Sequence, residues 1–379
     1  HAAAFRSSPA YPEAIYYHAR YRHEKFGPLA CWRFQRLHPD WSDAPPELHG
    51  DWLALQGFIA GRLHDFDRAE RWLNRAESVA PKRAWHAVER ASVLEMAEKH
   101  EDALASARRS LELQPWFRPG VQSAAHLLLR LGRDREALEL LTEAATRLES
   151  GLILAQLASL QFELGHMADV RASLDRFEEL SPLMEPDAKK WLAARRTDAP
   201  SRLGQFAEAA AMARTVADEF YTGYAERLEA NPPAAVPEPI VIGATNDLRS
   251  ASPYELLAKH WNAPLPNPPG ESAPPADGLP DAAERNRAEH AGWRTVEFTL
   301  VPEVAFQLLE RGVPFIVTLV EAGLSQSRLA TGADRWRHSI AIAEQAGRRP
   351  TEAPLEPFLK RVAGTGPRAP ALRPAAEAT

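Results

Sequence analysis

Sulfur is nearly absent from this 379-residue chain: its one cysteine is Cys31. A lone thiol makes no intramolecular disulfide and no cysteine-based zinc site, and no thiol chemistry is available after residue 31. It fits a reducing compartment, so the expected location is cytoplasmic. Long apolar runs are missing too. With no stretch of about 18 apolar residues, the sequence offers no membrane span. Phosphate-cradling glycine loops are missing, since "GTGP" neither follows a strand pattern nor opens a helix. Thirteen histidines are present, yet none pairs at a ligand spacing with a third ligand in reach. His18 and His23 stand five apart and miss the i, i+4 zinc-helix pattern. The expectation is therefore no metal and no cofactor. Basic excess is also lacking: 45 Lys and Arg against 51 Asp and Glu leave a net charge of -6, which argues against a general nucleic-acid binder.

Proline is what the chain has in surplus, 32 residues where about 5% is usual. Residues 1–230 hold 12 and residues 231–379 hold 20, seven of them in "PLPNPPGESAPPADGLP", Pro264 to Pro280. "NPPAAVPEP", Asn231 to Pro239, marks the change of composition and reads as a stiff extended linker. The expected domains are residues 1–230, a linker at 231–240, and residues 241–379.

The first part repeats. "DRAERWLNRAESVAP" aligns over "EDALASARRSLELQP", placing Ala69 and Ala103 34 residues apart, and Pro81 and Pro115 likewise; Ala137 follows after another 34. Paired amphipathic helices of this period, with small residues at fixed places, resemble the tetratricopeptide repeat. The family's positions fall on Gly57, Ala69, Leu73, Ala76 and Pro81. A fourth copy, Gly151 to Pro182, carries Val170 at the small position, and a fifth has Gly204 and Ala209. Residues 10–45 read as a degenerate extra pair. Such helix pairs must stack to bury their apolar faces, and the resemblance implies a concave surface for a protein or peptide ligand. Its groove-facing positions are Arg62, Trp85, Gln122, His126 and Arg130. Packing for Trp85 and solvated surface for the other four is the competing reading. Cys31 reads as a core thiol.

The second part changes period. "PIVIGA" (239–244), "TVEFTL" (295–300), "VPFIVTLV", "SRLATGA" and "HSIAIAE" read as strands. "SPYELLAKHW" opens with a capping box, Ser252 to Glu255, and "VPEVAFQLLERG" runs from a first-turn proline to a stop at Gly312. Helices with antiparallel strands give an α+β layout. The fold class expected for the whole chain is mainly α, an α-solenoid followed by a smaller α+β domain.

The blocks "PYELLAKHWN", "AEHAGWRTVEFTL", "AFQLLERGVPFIVTLVEAG" and "ATGADRWRHSIAIAE" resemble, in that order, the papain-like bacteriocin-processing peptidases that cut after double glycine. "TGPRAPALRP" is similar to the segment that follows this domain in repeat fusions. The resemblance implies a triad whose places fall on Arg249, Gln326 and Glu344. None does the chemistry required: Arg249 offers no thiolate and Gln326 does not titrate near neutrality. The expectation is a pseudoenzyme, a non-catalytic binding scaffold. The alternative is an active hydrolase using Ser250 or Ser252, with His338 or His260 as base.

Overall fold

Helix signals recur at fixed intervals, and the backbone follows them. The computed structural model describes residues 11–39, 41, 44–242, 252–263, 280–321, 324–343, 350–363 and 368–375. The chain divides into two compact units, residues 1–157 and 158–379.

In the first unit the pairs are α1 (Pro12–Phe26) with α2 (Pro28–Gln35), α3 (Pro46–Arg62) with α4 (Phe66–Val79), α5 (Ala84–Met96) with α6 (His100–Leu113), and α7 (Arg118–Arg130) with α8 (Asp134–Arg147). Helix α9 (Gly151–Glu163) crosses the division between units. The extra N-terminal pair is present, with the short second helix the sequence suggests. Ala69, Ala103 and Ala137 are fully buried. A Cβ on Gly57 would meet Leu73 Cγ at 2.8 Å, so α3 and α4 cross closely there. Leucine at Ala69, Ala103 or Ala137 is expected to cost about 1–3 kcal/mol by overpacking. The exposed Ala105 should tolerate it, and equal melting temperatures for all four variants would contradict the packing.

The first helices α3, α5 and α7 end in the same way. Asp65 N–H reaches Ala60 O (2.9 Å) and His64 N–H reaches Gly61 O (2.9 Å); Lys99 and Glu98 repeat this on Leu94 O and Glu95 O, and Arg133 and Gly132 on Leu128 O and Leu129 O. These are Schellman caps. The residue at the turn has positive φ: His64 60°, Glu98 60°, Gly132 67°. Only the third is glycine, and a left-handed non-glycine residue costs about 1–2 kcal/mol. Glu98→Gly should therefore stabilise the chain by about 1 kcal/mol, read as a higher denaturant midpoint; a lower midpoint would contradict the cap.

The second unit continues with α10 (Met167–Glu179), α11 (Pro186–Arg202), α12 (Phe206–Ala213) and α13 (Glu219–Ala230). Gly204 (φ 73°) and Val170, fully buried, occupy the places the repeat assigns them. Next come α14 (Pro253–His260), α15 (Pro280–His290), β1 (Trp293–Thr299), α16 (Pro302–Glu310), β2 (Phe315–Glu321), β3 (Leu324–Asp334), β4 (Ser339–Ala343), β5 (Thr351–Pro354), α17 (Leu355–Ala363) and β6 (Arg368–Pro374). The sheet is antiparallel, in the order β1-β6-β2-β3-β4-β5. Side chains of β2 alternate between two cores. Phe315, Val317 and Leu319 join Phe306 of α16 and Phe358 of α17, whereas Ile316 joins Tyr254 and Leu257 of α14. That two-faced burial is why "FIVTLV" reads as a continuous apolar run. The capping box of α14 forms as expected, Ser252 with Glu255, and Gly312 has φ 73°.

One sequence expectation is corrected. Residues 239–242 of "PIVIGA" form no strand. Pro239 has no N–H to donate, and Ile240 N–H makes a single bond, 2.9 Å, to Thr331 O at the bulge between Ala330 and Gly332. Pro239 lies where a Cβ on Gly332 would be, at 2.7 Å. "RAPALRP", for which the sequence offers no strand reading, forms β6 inside the sheet, between β1 and β2. The segment 231–240 has no regular structure, and Asn231 O accepts Trp336 Nε1–H at 2.6 Å.

Candidate functional site

The first helices of successive pairs lie against one another, α1 on α3, α3 on α5 and α5 on α7. Together they make one continuous face. The most elaborate polar cluster of that face lies where α1, α3 and α5 meet. Arg20 Nη1 on α1 donates to Glu89 Oε1 (3.2 Å) and to Tyr16 Oη (3.3 Å). The same guanidinium lies 4.9 Å from the ring centre of Trp85, a cation–π distance. Asp51 on α3 accepts from Arg83 Nε (3.2 Å) and Nη2 (2.5 Å), and its Oδ1 is 3.1 Å from His86 Nε2.

The two acids of the cluster titrate in opposite directions. Burial pushes Glu89 up to about 7, outweighing Arg20, and the neighbouring Asp51 charge adds to the rise. Asp51 is also desolvated, but hydrogen bonds from His86 and Arg83 and the Arg83 charge bring its pKa below the usual value. Burial raises Tyr16 to about 12, so its hydroxyl stays protonated.

Of the five residues singled out by the repeat pattern, Trp85 is half-buried and belongs to this cluster, with Phe117 edge-on at 6.5 Å. Gln122 is half-buried, and its carbonyl accepts from Gln156 Nε2 at 3.4 Å. His126 is exposed, with Nε2 2.6 Å from Glu95 Oε1. Arg62 and Arg130 are exposed. Sequence reasoning missed Arg20, Asp51, His86 and Glu89. The spacing of Glu89 three residues after His86 was the available signal, indistinguishable in sequence from a solvated helix face.

In the second unit, Gln326 lies on β3 opposite Leu319, and its Oε1 accepts Arg328 Nη2–H at 2.7 Å. Arg249, Ser250 and Glu344 lie outside the described residues. His338 occupies the β3–β4 turn with φ 52°, and His260 Nε2 lies 3.3 Å from Gly312 O. Cys31 is fully buried among Tyr16, Phe34 and Trp52, and burial raises its pKa to about 12. Among the described residues no group of three or more His, Cys, Asp or Glu could hold a metal ion, and no helix is long and apolar enough to cross a membrane.

The helix pairs of the first unit form a tetratricopeptide-type array. Their 34-residue spacing, buried alanine crossings and repeated caps define it. No family model matches the chain, and no curated protein matches it. Solved structures similar to it include the type IV pilus biogenesis factor PilW (12% identity, 59% of this chain and 94% of that one, TM-score 0.41). YrrB, a tetratricopeptide-repeat protein with an unusual peptide-binding site, is 17% identical over 42% of this chain and 84% of its own, with a TM-score of 0.35. A tetratricopeptide repeat protein from Parabacteroides merdae is 16% identical over 58% and 87%, with a TM-score of 0.38.

Proposed function

We propose that the chain is a non-catalytic scaffold that binds a protein or peptide segment on the face made by α1, α3, α5 and α7. The observation that supports this most is the Arg20–Trp85–Glu89 arrangement. A half-buried aromatic surface carries a partly exposed guanidinium (30% of its side chain), a pairing that suits an extended chain needing both an apolar contact and a donor. The second part, residues 241–379 beyond the linker 231–240, is read as a papain-like pseudo-peptidase. That reading rests on the sequence resemblance; the chain's one thiol, fully buried and protonated, fits the absence of thiol-protease chemistry.

The test is selection of binders from a random-peptide display library against the full chain, followed by affinity measurement. Arg130→Ala or Trp85→Ala is expected to weaken a selected peptide at least tenfold, with Gln326→Ala without effect. Binding that depends on Gln326 and ignores Arg62, Trp85, His126 and Arg130 would move recognition to the sheet unit. Incubation with double-glycine leader peptides is expected to give no cleavage; cleavage lost in Cys31→Ser would overturn the pseudoenzyme reading.

A further inference from the structure

Arg20 is committed on one side only. Among the described residues both of its side-chain hydrogen bonds leave from Nη1, to Glu89 and Tyr16, and the guanidinium lies 4.9 Å from the Trp85 ring centre. Its charge, however, is balanced by Glu89, whose side chain is 5% exposed against 30% for Arg20. The acid is buried, whereas the cation keeps 30% of its side-chain surface exposed. Neutralising that acid would leave the guanidinium uncompensated beside an aromatic ring.

We propose that Glu89 is a proton-linked latch on Arg20, so that the face around Arg20 and Trp85 takes an acidic peptide segment more tightly once Glu89 is protonated. This rests on the scaffold reading and names its ligand class and its regulation. The surroundings isolate the latch. From α1, Tyr16 and Arg20 face Glu89, and from α3, Asp51 does so while itself tied to Arg83 and His86. Of the charged groups on the other helices packed on α5, Glu70 and Glu77 of α4 hold Arg90, Arg109 of α6 holds Glu112, Arg108 of α6 holds Glu136, and His126 of α7 meets Glu95. Glu89 titrates at about 7, so between pH 8 and pH 6 the protonated fraction rises about tenfold, and the apparent affinity follows it. By linkage, an acidic ligand draws a proton onto Glu89.

The probe is N-acetylated, C-amidated hexaglutamate, with hexaglutamine as the neutral control, titrated against the full chain at pH 6 and pH 8 and constant ionic strength. Wild type should bind hexaglutamate about tenfold tighter at pH 6 than at pH 8. Glu89→Gln, which keeps the shape of the site, should show the pH 6 affinity at both values. Arg20→Gln/Glu89→Gln, checked by circular dichroism for its helices, should lose at least tenfold at pH 6. An identical pH dependence in wild type and Glu89→Gln would assign the effect to histidines and overturn the latch. Failure of wild type and Glu89→Gln alike to bind hexaglutamate at pH 6 would overturn it as well. If library-selected peptides still bind in those cases, the scaffold reading survives alone.

Discussion

Arg337→Met is expected to destabilise the second unit by about 3–5 kcal/mol, because it strands two buried carboxylates. Arg337 lies in the β3–β4 turn with its side chain 6% exposed, donating from Nη2 to Asp198 Oδ1 of α11 (2.7 Å) and from Nε to Glu352 Oε1 of β5 (2.8 Å). Among the described residues its third nitrogen, Nη1, has no hydrogen-bond partner. The guanidinium lies 5.0 Å from the ring centre of Tyr224 and 5.6 Å from that of Phe220, which accounts for that nitrogen. Arg202 adds a 2.7 Å bond to Glu352 Oε2, Ser339 donates to Oε1, and Tyr221 donates to Asp198 (3.1 Å). Desolvation works against ionised Glu352, yet Arg337 and Arg202 pull its pKa below the usual value. Adding Asp198→Asn to Arg337→Met should recover part of the loss, since the second change removes one stranded charge; the pair must be non-additive. Denaturant unfolding of the four proteins of this cycle checks it. A cost below about 1 kcal/mol for Arg337→Met alone would show the cluster to be effectively solvated.

Glu89→Gln should abolish a pH dependence of stability that wild type shows between about 4.5 and 7. The folded pKa of Glu89, about 7, stands above the ordinary 4.5. The folded state therefore holds this proton more tightly. Its contribution is fully present below the unfolded pKa and is lost as the pH rises through the folded one. A shift of this size amounts to about 3 kcal/mol. The variant should match wild type near pH 4 and exceed it by about 3 kcal/mol at pH 8. Asp51 does not mask the effect: its pKa is lowered, so its contribution is lost as the pH falls, in a more acid window. Parallel stability curves for the two proteins would mean that Glu89 is hydrated.

The sequence carries the repeat because a helix pair of fixed length needs small residues at every crossing. Ala69, Ala103 and Ala137 are therefore legible from spacing alone, and a glycine such as Gly132 is in itself a turn signal. Its equivalents His64 and Glu98 are hidden, since neither residue type announces a left-handed backbone. In the sheet unit the hairpin of β3 and β4 and the capped helix α14 are legible from local signals. Strand β6 is not: Pro370 and Pro374 argue against an interior strand, yet the segment pairs along its whole length with β1 and at Ala371 alone with β2. Pro239 misleads in the other direction, leaving "PIVI" one backbone bond short of a ladder. The polar clusters lie beyond any local pattern. Asp198 and Arg337 are 139 residues apart, as Arg20 and Glu89 are 69 apart, and nothing in their neighbourhoods separates them from the other charges of the chain. Of the expected site, Trp85 was reachable through the repeat register. The buried carboxylate of Glu89, whose desolvation raises its pKa, was not.

Hydrogen–deuterium exchange of the full chain, with and without a saturating library-selected peptide, tests the scaffold claim most directly. Protection concentrated in α1, α3, α5 and α7, with α4, α6 and α8 unchanged, is the predicted result. Protection confined to the strands around Gln326 or to the second helices, or a peptide shortened in the course of the experiment, would contradict it.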